Sequence, residues 1–323
     1  MHIVVTGSAG YIGSRLVRRV AGAGHVVTGV DRAAGTPEAA DRVVQGDLAD
    51  ADVRAEALAE ADAVMHLAAA KDDWGIDDKE FFFENLEVTR RLLRDARARG
   101  IHDWVFYSSV AAIGSGDTPR TEDRALDPDG AYGASKVEAE VLFREYAQEV
   151  PEMSCVILRP SVVFGPGHYS YTNVYRLIEA IRNNRFLMVG EGKAIKTTSY
   201  IENVLAATLY LWEHRSEGVQ TFLYVDEPVR TTEALVDDIY TLLGKRRPGV
   251  RIPLGLAKSV AWVADVAAEW TGINFPITAA RIEKFNTSTH FDARAIRDAG
   301  FEQPVGIEDA LQKTVRWHLQ HVE

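Results

Sequence analysis

A tyrosine and a lysine four residues apart, in Tyr132-Gly133-Ala134-Ser135-Lys136, are the residues of this chain best suited to moving a proton. On a helix, positions i and i+4 share a face, so the lysine ammonium can stand beside the phenol. A neighbouring cation favours the phenolate and lowers the tyrosine pKa toward the range of a general base. Taken alone, such a pair is also what a partly buried aromatic next to a surface lysine looks like. Upstream, Tyr107-Ser108-Ser109-Val110-Ala111 leaves the end of an apolar run at 103–107. A hydroxyl from Ser108 or Ser109 can hydrogen-bond the substrate oxygen that the tyrosine deprotonates. Without Tyr132, the two serines would read as turn chemistry.

A second cluster points to what works beside them. Gly7, Gly10 and Gly13 stand in Thr6-Gly7-Ser8-Ala9-Gly10-Tyr11-Ile12-Gly13, between an apolar run at 2–6 and a helical pattern at 11–22. Glycines at this spacing let the backbone turn tightly and approach a pyrophosphate, which then rests on the helix N-terminus. Asp31 ends the next apolar run at the distance expected of an acid that binds a ribose. Its carboxylate can accept from both ribose hydroxyls and would repel a 2′-phosphate, which favours NAD over NADP. Arg32 complicates this, because it could pair with a phosphate; the reading preferred here is a solvated side chain over the adenine. Asp47 and Leu48, after a third run at 42–45, hold the adenine edge or form a plain turn with a helix cap. Lys136 can also donate to the nicotinamide ribose.

These residues need a frame. Apolar runs at 2–6, 25–30, 42–45, 63–67, 103–107 and 154–159 alternate with helical patterns at 11–22, 52–60, 78–99 and 132–149. That rhythm implies right-handed crossovers and a buried parallel sheet. The expected fold is α/β: a Rossmann-type doubly wound parallel sheet with a smaller, helix-rich substrate lobe. The expected division gives 1–165, completed by about 197–225, to NAD, and 166–196 with 226–323 to the substrate. After Pro166 the pattern predicts helices at 173–183 and 202–215, a turn at Gly190 and Gly192, and a strand at 221–225.

Composition sets the bounds. The 323 residues carry a net charge of −11, which argues against a general nucleic-acid binder. The single cysteine, Cys155, lies in an apolar run and allows neither an intramolecular disulfide nor a cysteine-based metal site. No metal is expected. The apolar segment 254–270 is interrupted by Lys258, Asp265 and Glu269, so it reads as a packed helix rather than a membrane contact. With no leader visible before the first strand, the expectation is a cytoplasmic enzyme.

In order and spacing, these pieces resemble the extended short-chain dehydrogenase/reductases, the superfamily of nucleotide-sugar epimerases and dehydratases. His66-Leu67-Ala68-Ala69 looks like that family's motif beside the cofactor, and Asn85 with Thr89 matches its Asn-x-x-x-Thr pattern. Leu158-Arg159-Pro160 and Val163-Phe164-Gly165-Pro166-Gly167 resemble its landmarks leading into the substrate lobe, and Gly300–Trp317 its closing helix. The resemblance implies catalytic roles for Ser109, Tyr132 and Lys136, and a weaker substrate role for Ser108. It implies cofactor contacts from Gly7, Gly10, Tyr11, Ile12, Gly13, Asp31, Arg32, Asp47, Leu48, Leu67, Ala68, Ala69, Asn85, Tyr132 and Lys136.

Departures from the family pattern matter as well. The 4,6-dehydratases carry an Asp-Glu pair where this chain has Val110-Ala111, so that dehydration route lacks its acid and base. Val162 stands where nucleotide-sugar enzymes often have an asparagine for the diphosphate. Asn173 matches a nucleotide-contacting asparagine or is a helix cap. Lys196 stands where a phosphate-gripping arginine is usual, and reads equally as a solvated loop cation. The leading expectation is an NAD-dependent nucleotide-sugar epimerase acting at C4 of a UDP-sugar, a homodimer through the helices at 78–99 and 132–149. The alternatives are a 3β-hydroxysteroid or related alcohol dehydrogenase, and a non-catalytic dinucleotide sensor.

Overall fold

The computed structural model describes residues 1–71, 77–167, 172–259 and 279–322. Seven short apolar runs form β1 (His2–Thr6), β2 (Val26–Asp31), β3 (Arg42–Gln45), β4 (Ala63–His66), β5 (Asp103–Tyr107), β6 (Ser154–Pro160) and β7 (Gly218–Tyr224). They form one sheet in the order β7-β6-β5-β4-β1-β2-β3. Every pairing is parallel.

Both faces of this sheet are covered, which is why its strands are apolar without alternation. Ile3 and Val5 of β1 pack with Leu16, Val17 and Val20 of helix α1 (Tyr11–Gly22). Val4 faces the opposite layer, with Val64, Leu92, Trp104, Phe106 and Phe143. Each such fully buried aliphatic or phenyl side chain contributes roughly 1.5–3 kcal/mol. The opposite layer holds α2 (Ala51–Ala57), α3 and α4 (Gly130–Glu149). α3 is built of three successive segments, Asp78–Phe82, a π-helical turn Phe83–Glu87, and Val88–Arg97. The strand order reverses beside β1, and that switch point opens a crevice at the carboxyl ends of the strands.

The smaller lobe holds α5 (Asn173–Arg182), α7 (Thr232–Leu242) and α8 (Ile307–His321), while α6 (Ile201–Glu213) packs against α1 and β6. This lobe is less purely helical than the sequence predicts. A four-stranded sheet joins Arg230–Thr231, Ile195–Lys196, Thr289–Phe291 and Gly116–Arg120. Val162–Phe164 pairs with Thr198–Tyr200, and Met188–Val189 with Arg251–Ile252. Strands of two to five residues are too short to show a period of two, so the pattern could not reveal them. Of the helix expected over 254–270, residues 254–259 are helical and the rest lies outside the described residues. Among the described residues, no helix is long and apolar enough to cross a membrane. Cys155 is buried.

Candidate active site

The carboxyl ends of β1, β2, β4, β5 and β6 line one cleft of about 630 Å3. Its floor is the glycine loop. Gly7 adopts φ +69°, a conformation that other residues rarely accept. A methyl group on Gly13 would sit 2.0 Å from Gly7 O, so only glycine lets α1 start this close to the loop. The first turn of α1 carries no acidic side chain and opens on the cleft, as an anion site requires.

The neighbouring groups are held from behind. Asp31 Oδ2 accepts the N–H of Ala9 at 3.0 Å, and its Oδ1 accepts that of Ala33 at 2.9 Å, fixing the carboxylate against the loop. Thr6 Oγ1 accepts the N–H groups of Leu67 and Ala68, each at 3.1 Å, and lies 2.7 Å from His66 Nδ1. His66 Nε2 is 2.9 Å from Thr89 Oγ1. Burial, with Lys136 nearby, pulls the His66 pKa down to about 3, so the ring stays neutral beneath the segment Leu67–Ala69. Arg32 pairs with Glu84, and its other nitrogen lies 3.6 Å from Asp47. Asp47 also makes the plain turn considered for it, accepting the N–H of Ala49 at 2.8 Å, while the cap of α2 is Asp50. A turn only glycine can make, a helix start facing the cleft and a pinned acid at the end of β2 together fit an NAD dinucleotide.

At the other end, α4 brings Tyr132 and Lys136 to the cleft. A methyl group on Gly133 would meet Ala111 O at 2.4 Å, so glycine lets the turn after Ser109 press against the start of this helix. The Tyr132 ring meets Phe81 edge-on, with centroids 6.0 Å apart. Lys136 is 2% exposed and donates to Tyr107 O at 2.9 Å. Burial lowers its pKa to about 7, against the opposing pull of the Glu140 carboxylate one turn along. Glu140 is itself held by Arg159, at 2.8 Å through Nε and 2.6 Å through Nη2.

Some expected residues fall elsewhere. Ser108 borders the cleft, but its hydroxyl donates to Glu140 Oε1 at 2.6 Å and is spent on that buried pair. Ser109 lines the cleft, and its Oγ accepts the N–H of Ala111 at 3.2 Å, which leaves the O–H proton to donate. Asn85, expected to contact the cofactor, is not among the residues lining the cleft. Its amide binds Ala70 N–H at 2.8 Å, Ala70 O at 3.0 Å and Ser135 Oγ at 2.9 Å, locking the π-helical turn of α3 onto α4. Lys196 also lies outside the lining, with Nζ on Thr287 O at 2.6 Å, while the next residue, Thr197, faces the cleft. Asn173 lines the cleft and is not the cap of α5; Thr172 is, accepting the N–H of Tyr175 at 3.3 Å.

The sequence reading missed Ser115, Asp129, Ser161, Thr197, Thr289 and Phe291, all of which line the same end. Asp129 precedes a helix and so resembles a cap, yet it makes no cap bond and accepts from Ser115 Oγ at 2.6 Å. An acid and a serine fourteen residues apart carry no local signal, and Thr289 arrives only through the small sheet.

Comparison with known proteins agrees with this geometry. The profile described as "NAD dependent epimerase/dehydratase family" matches residues 3–225. An N-acetyl-alpha-D-glucosaminyl-diphospho-ditrans,octacis-undecaprenol 4-epimerase of Escherichia coli O157:H7 is 29% identical across 100% of this chain and 96% of its own. A 3 beta-hydroxysteroid dehydrogenase/Delta 5-->4-isomerase of Mycobacterium tuberculosis is 27% identical, covering 100% of this chain and 91% of its own. The solved structure of MoeE5 in complex with UDP-glucose and NAD superposes with a TM-score of 0.78 at 26% identity, covering all of both chains.

Proposed function

This chain belongs to the NAD dependent epimerase/dehydratase family, and from that premise we propose that it is a nucleotide-sugar 4-epimerase working through a transient 4-keto sugar. The observation that carries the reading is Lys136, buried beside Tyr132 at the end of a cleft whose other end is a dinucleotide cradle. A protein that only sensed the dinucleotide could use the lysine on the ribose, but would have no use for an acid–base tyrosine one turn before it.

NAD, when bound, supplies a reversible acceptor for the hydride on C4. The chain's own residues do the rest. Tyr132, as phenolate, takes the proton of the C4 hydroxyl, and Ser109 donates to the same oxygen. Lys136 stabilises that phenolate, and its amine is held in place by Tyr107 O. On return, Tyr132 gives the proton back to an oxygen presented from the other face of the ring. Thr172, Asn173, Thr197 and Thr289 surround the space where the sugar would turn. Hydroxyls and an amide can exchange partners with a rotating sugar, whereas a fixed ion pair would hold one face. Val110 and Ala111 line the cleft where a dehydratase of this family needs two acids.

The lobe assignment expected from the sequence, with 166–196 and 226–323 enclosing the sugar, and the homodimer through α3 and α4 belong to this same reading. A second reading keeps the chemistry and changes the carrier. The Escherichia coli relative is named for a diphospho-sugar on a polyprenol. Among the described residues, the cleft lining contributed by 166–196 and 226–323 contains no lysine or arginine to grip a nucleotide's β-phosphate. The test is product analysis by NMR with UDP-glucose, UDP-N-acetylglucosamine, N-acetylglucosaminyl-diphospho-polyprenol and a 3β-hydroxysteroid. The 4-epimer of a UDP-sugar supports the first reading, and the 4-epimer of the polyprenol substrate alone supports the second. Steroid oxidation without any epimer would replace both with the dehydrogenase.

A further inference from the structure

The adenosine end of the cleft contains one arginine among three carboxylates. Arg32 and the carboxylates of Asp31, Asp47 and Glu84 all line the cleft, and two of those acids stand against the guanidinium. Asp31 alone accounts for repulsion of a 2′-phosphate. It does not say what Arg32, the next residue, would do with one.

The geometry points to Glu84 as the residue that sets cofactor preference, by holding Arg32. The Glu84 carboxylate takes Arg32 Nη2 directly, and Asp47 Oδ2 stands 3.6 Å from Nη1. The Glu84 side chain is only 12% exposed while that of Arg32 is 56% exposed, so the acid is the fixed partner and the guanidinium is drawn to it. Gln45 Nε2 donates to Arg32 O at 3.3 Å and tethers the arginine backbone as well. Glu84 reaches this corner because it lies in the π-helical turn of α3, one residue before Asn85, which is locked into the core by Ala70 and Ser135. An arginine already neutralised gives a 2′-phosphate no net attraction, whereas a released one would pair with it through its fork.

The test is equilibrium titration of cofactor-free protein with NAD and NADP, read by calorimetry and independent of turnover. Glu84→Gln should tighten NADP binding roughly tenfold, about 1.4 kcal/mol, and change NAD binding by less than about threefold. Adding Arg32→Ala to that variant should remove the gain. Arg32→Ala alone should leave the ratio of the two affinities near the wild-type value, because the arginine is already held. An unchanged ratio in Glu84→Gln overturns the proposal. So does a gain that survives Arg32→Ala, or a large shift from Arg32→Ala by itself.

Discussion

The two ends of the cleft are built by different means. The floor of the cofactor end comes from adjacent pieces of chain: β1, the glycine loop, the start of α1 and the tip of β2 all lie within residues 2–31, and Asp47, Leu67–Ala69 and Glu84 close around them. The substrate end gathers Asp129 and Asn173 from the starts of α4 and α5, and Thr197 and Thr289, which a small sheet brings side by side across ninety-two residues. Local chain geometry fixes the first. Tertiary packing fixes the second, so single substitutions should act on the two ends separately.

The largest separation should come from Tyr132→Phe. Turnover should fall ~10²–10⁴-fold, the usual contribution of a general acid–base group, while NAD stays bound. Stopped assays and the cofactor content of the purified variant check this together. Loss of both properties would mean that the phenol also builds the cofactor end.

Gly13→Ala should strike the cofactor end instead. Its methyl would lie 2.0 Å from Gly7 O and 2.8 Å from Gly7 C, and backbone cannot yield as a side-chain tip can. Overpacking of this kind costs about 1–3 kcal/mol. The variant should melt at a lower temperature and purify with little NAD, as differential scanning calorimetry and cofactor release would show.

Within the substrate end, two positions that the sequence reading treated as equals should part. Asn173→Ala should raise the Michaelis constant for the sugar roughly tenfold, the value of a hydrogen bond or two, with less effect on kcat. Lys196→Ala should change it by less than about twofold, because its ammonium is on Thr287 O rather than in the cleft. Equal effects in steady-state kinetics would place Lys196 back among the substrate contacts.

A further expected effect concerns pH. Lys136 has a folded pKa of about 7 against an ordinary 10.5, so burial makes its protonated form a destabilising one. Its favourable contribution is fully present above pH 10.5 and is lost as pH falls through about 7. Lys136→Met removes that dependence. Urea unfolding at pH 7 and pH 9.5 should therefore show the variant losing ground to wild type as pH rises, and a constant gap would contradict the burial argument.

What was legible follows the same division. The first two strands and α1 matched within a residue, because their apolar runs are long and punctuated by glycine. Helix periodicity placed Tyr132 and Lys136 on one face, and only the glycine loop and the serines beside them gave that pair a chemical reading. Asn85 was named from the Asn-x-x-x-Thr pattern, while the π-helical turn that locks it to Ala70 and Ser135 leaves no mark in a pattern read at 3.6 residues per turn. Only the family resemblance favoured Ser109 over Ser108; what separates them in the fold is Glu140, thirty-two residues from Ser108, claiming its hydroxyl. Thr197, Thr289 and Phe291 carry no motif, and their place is set by strand pairing across more than ninety residues.

The central claim is that the substrate is oxidised and reduced again at one carbon within one site. Its most direct test uses a UDP-sugar deuterated at C4, incubated in ordinary water with the purified protein and no added cofactor. The account predicts a 4-epimer that retains its deuterium, with no net accumulation of reduced nicotinamide. Deuterium lost to solvent, or reduced nicotinamide formed in proportion to a keto product, would contradict it.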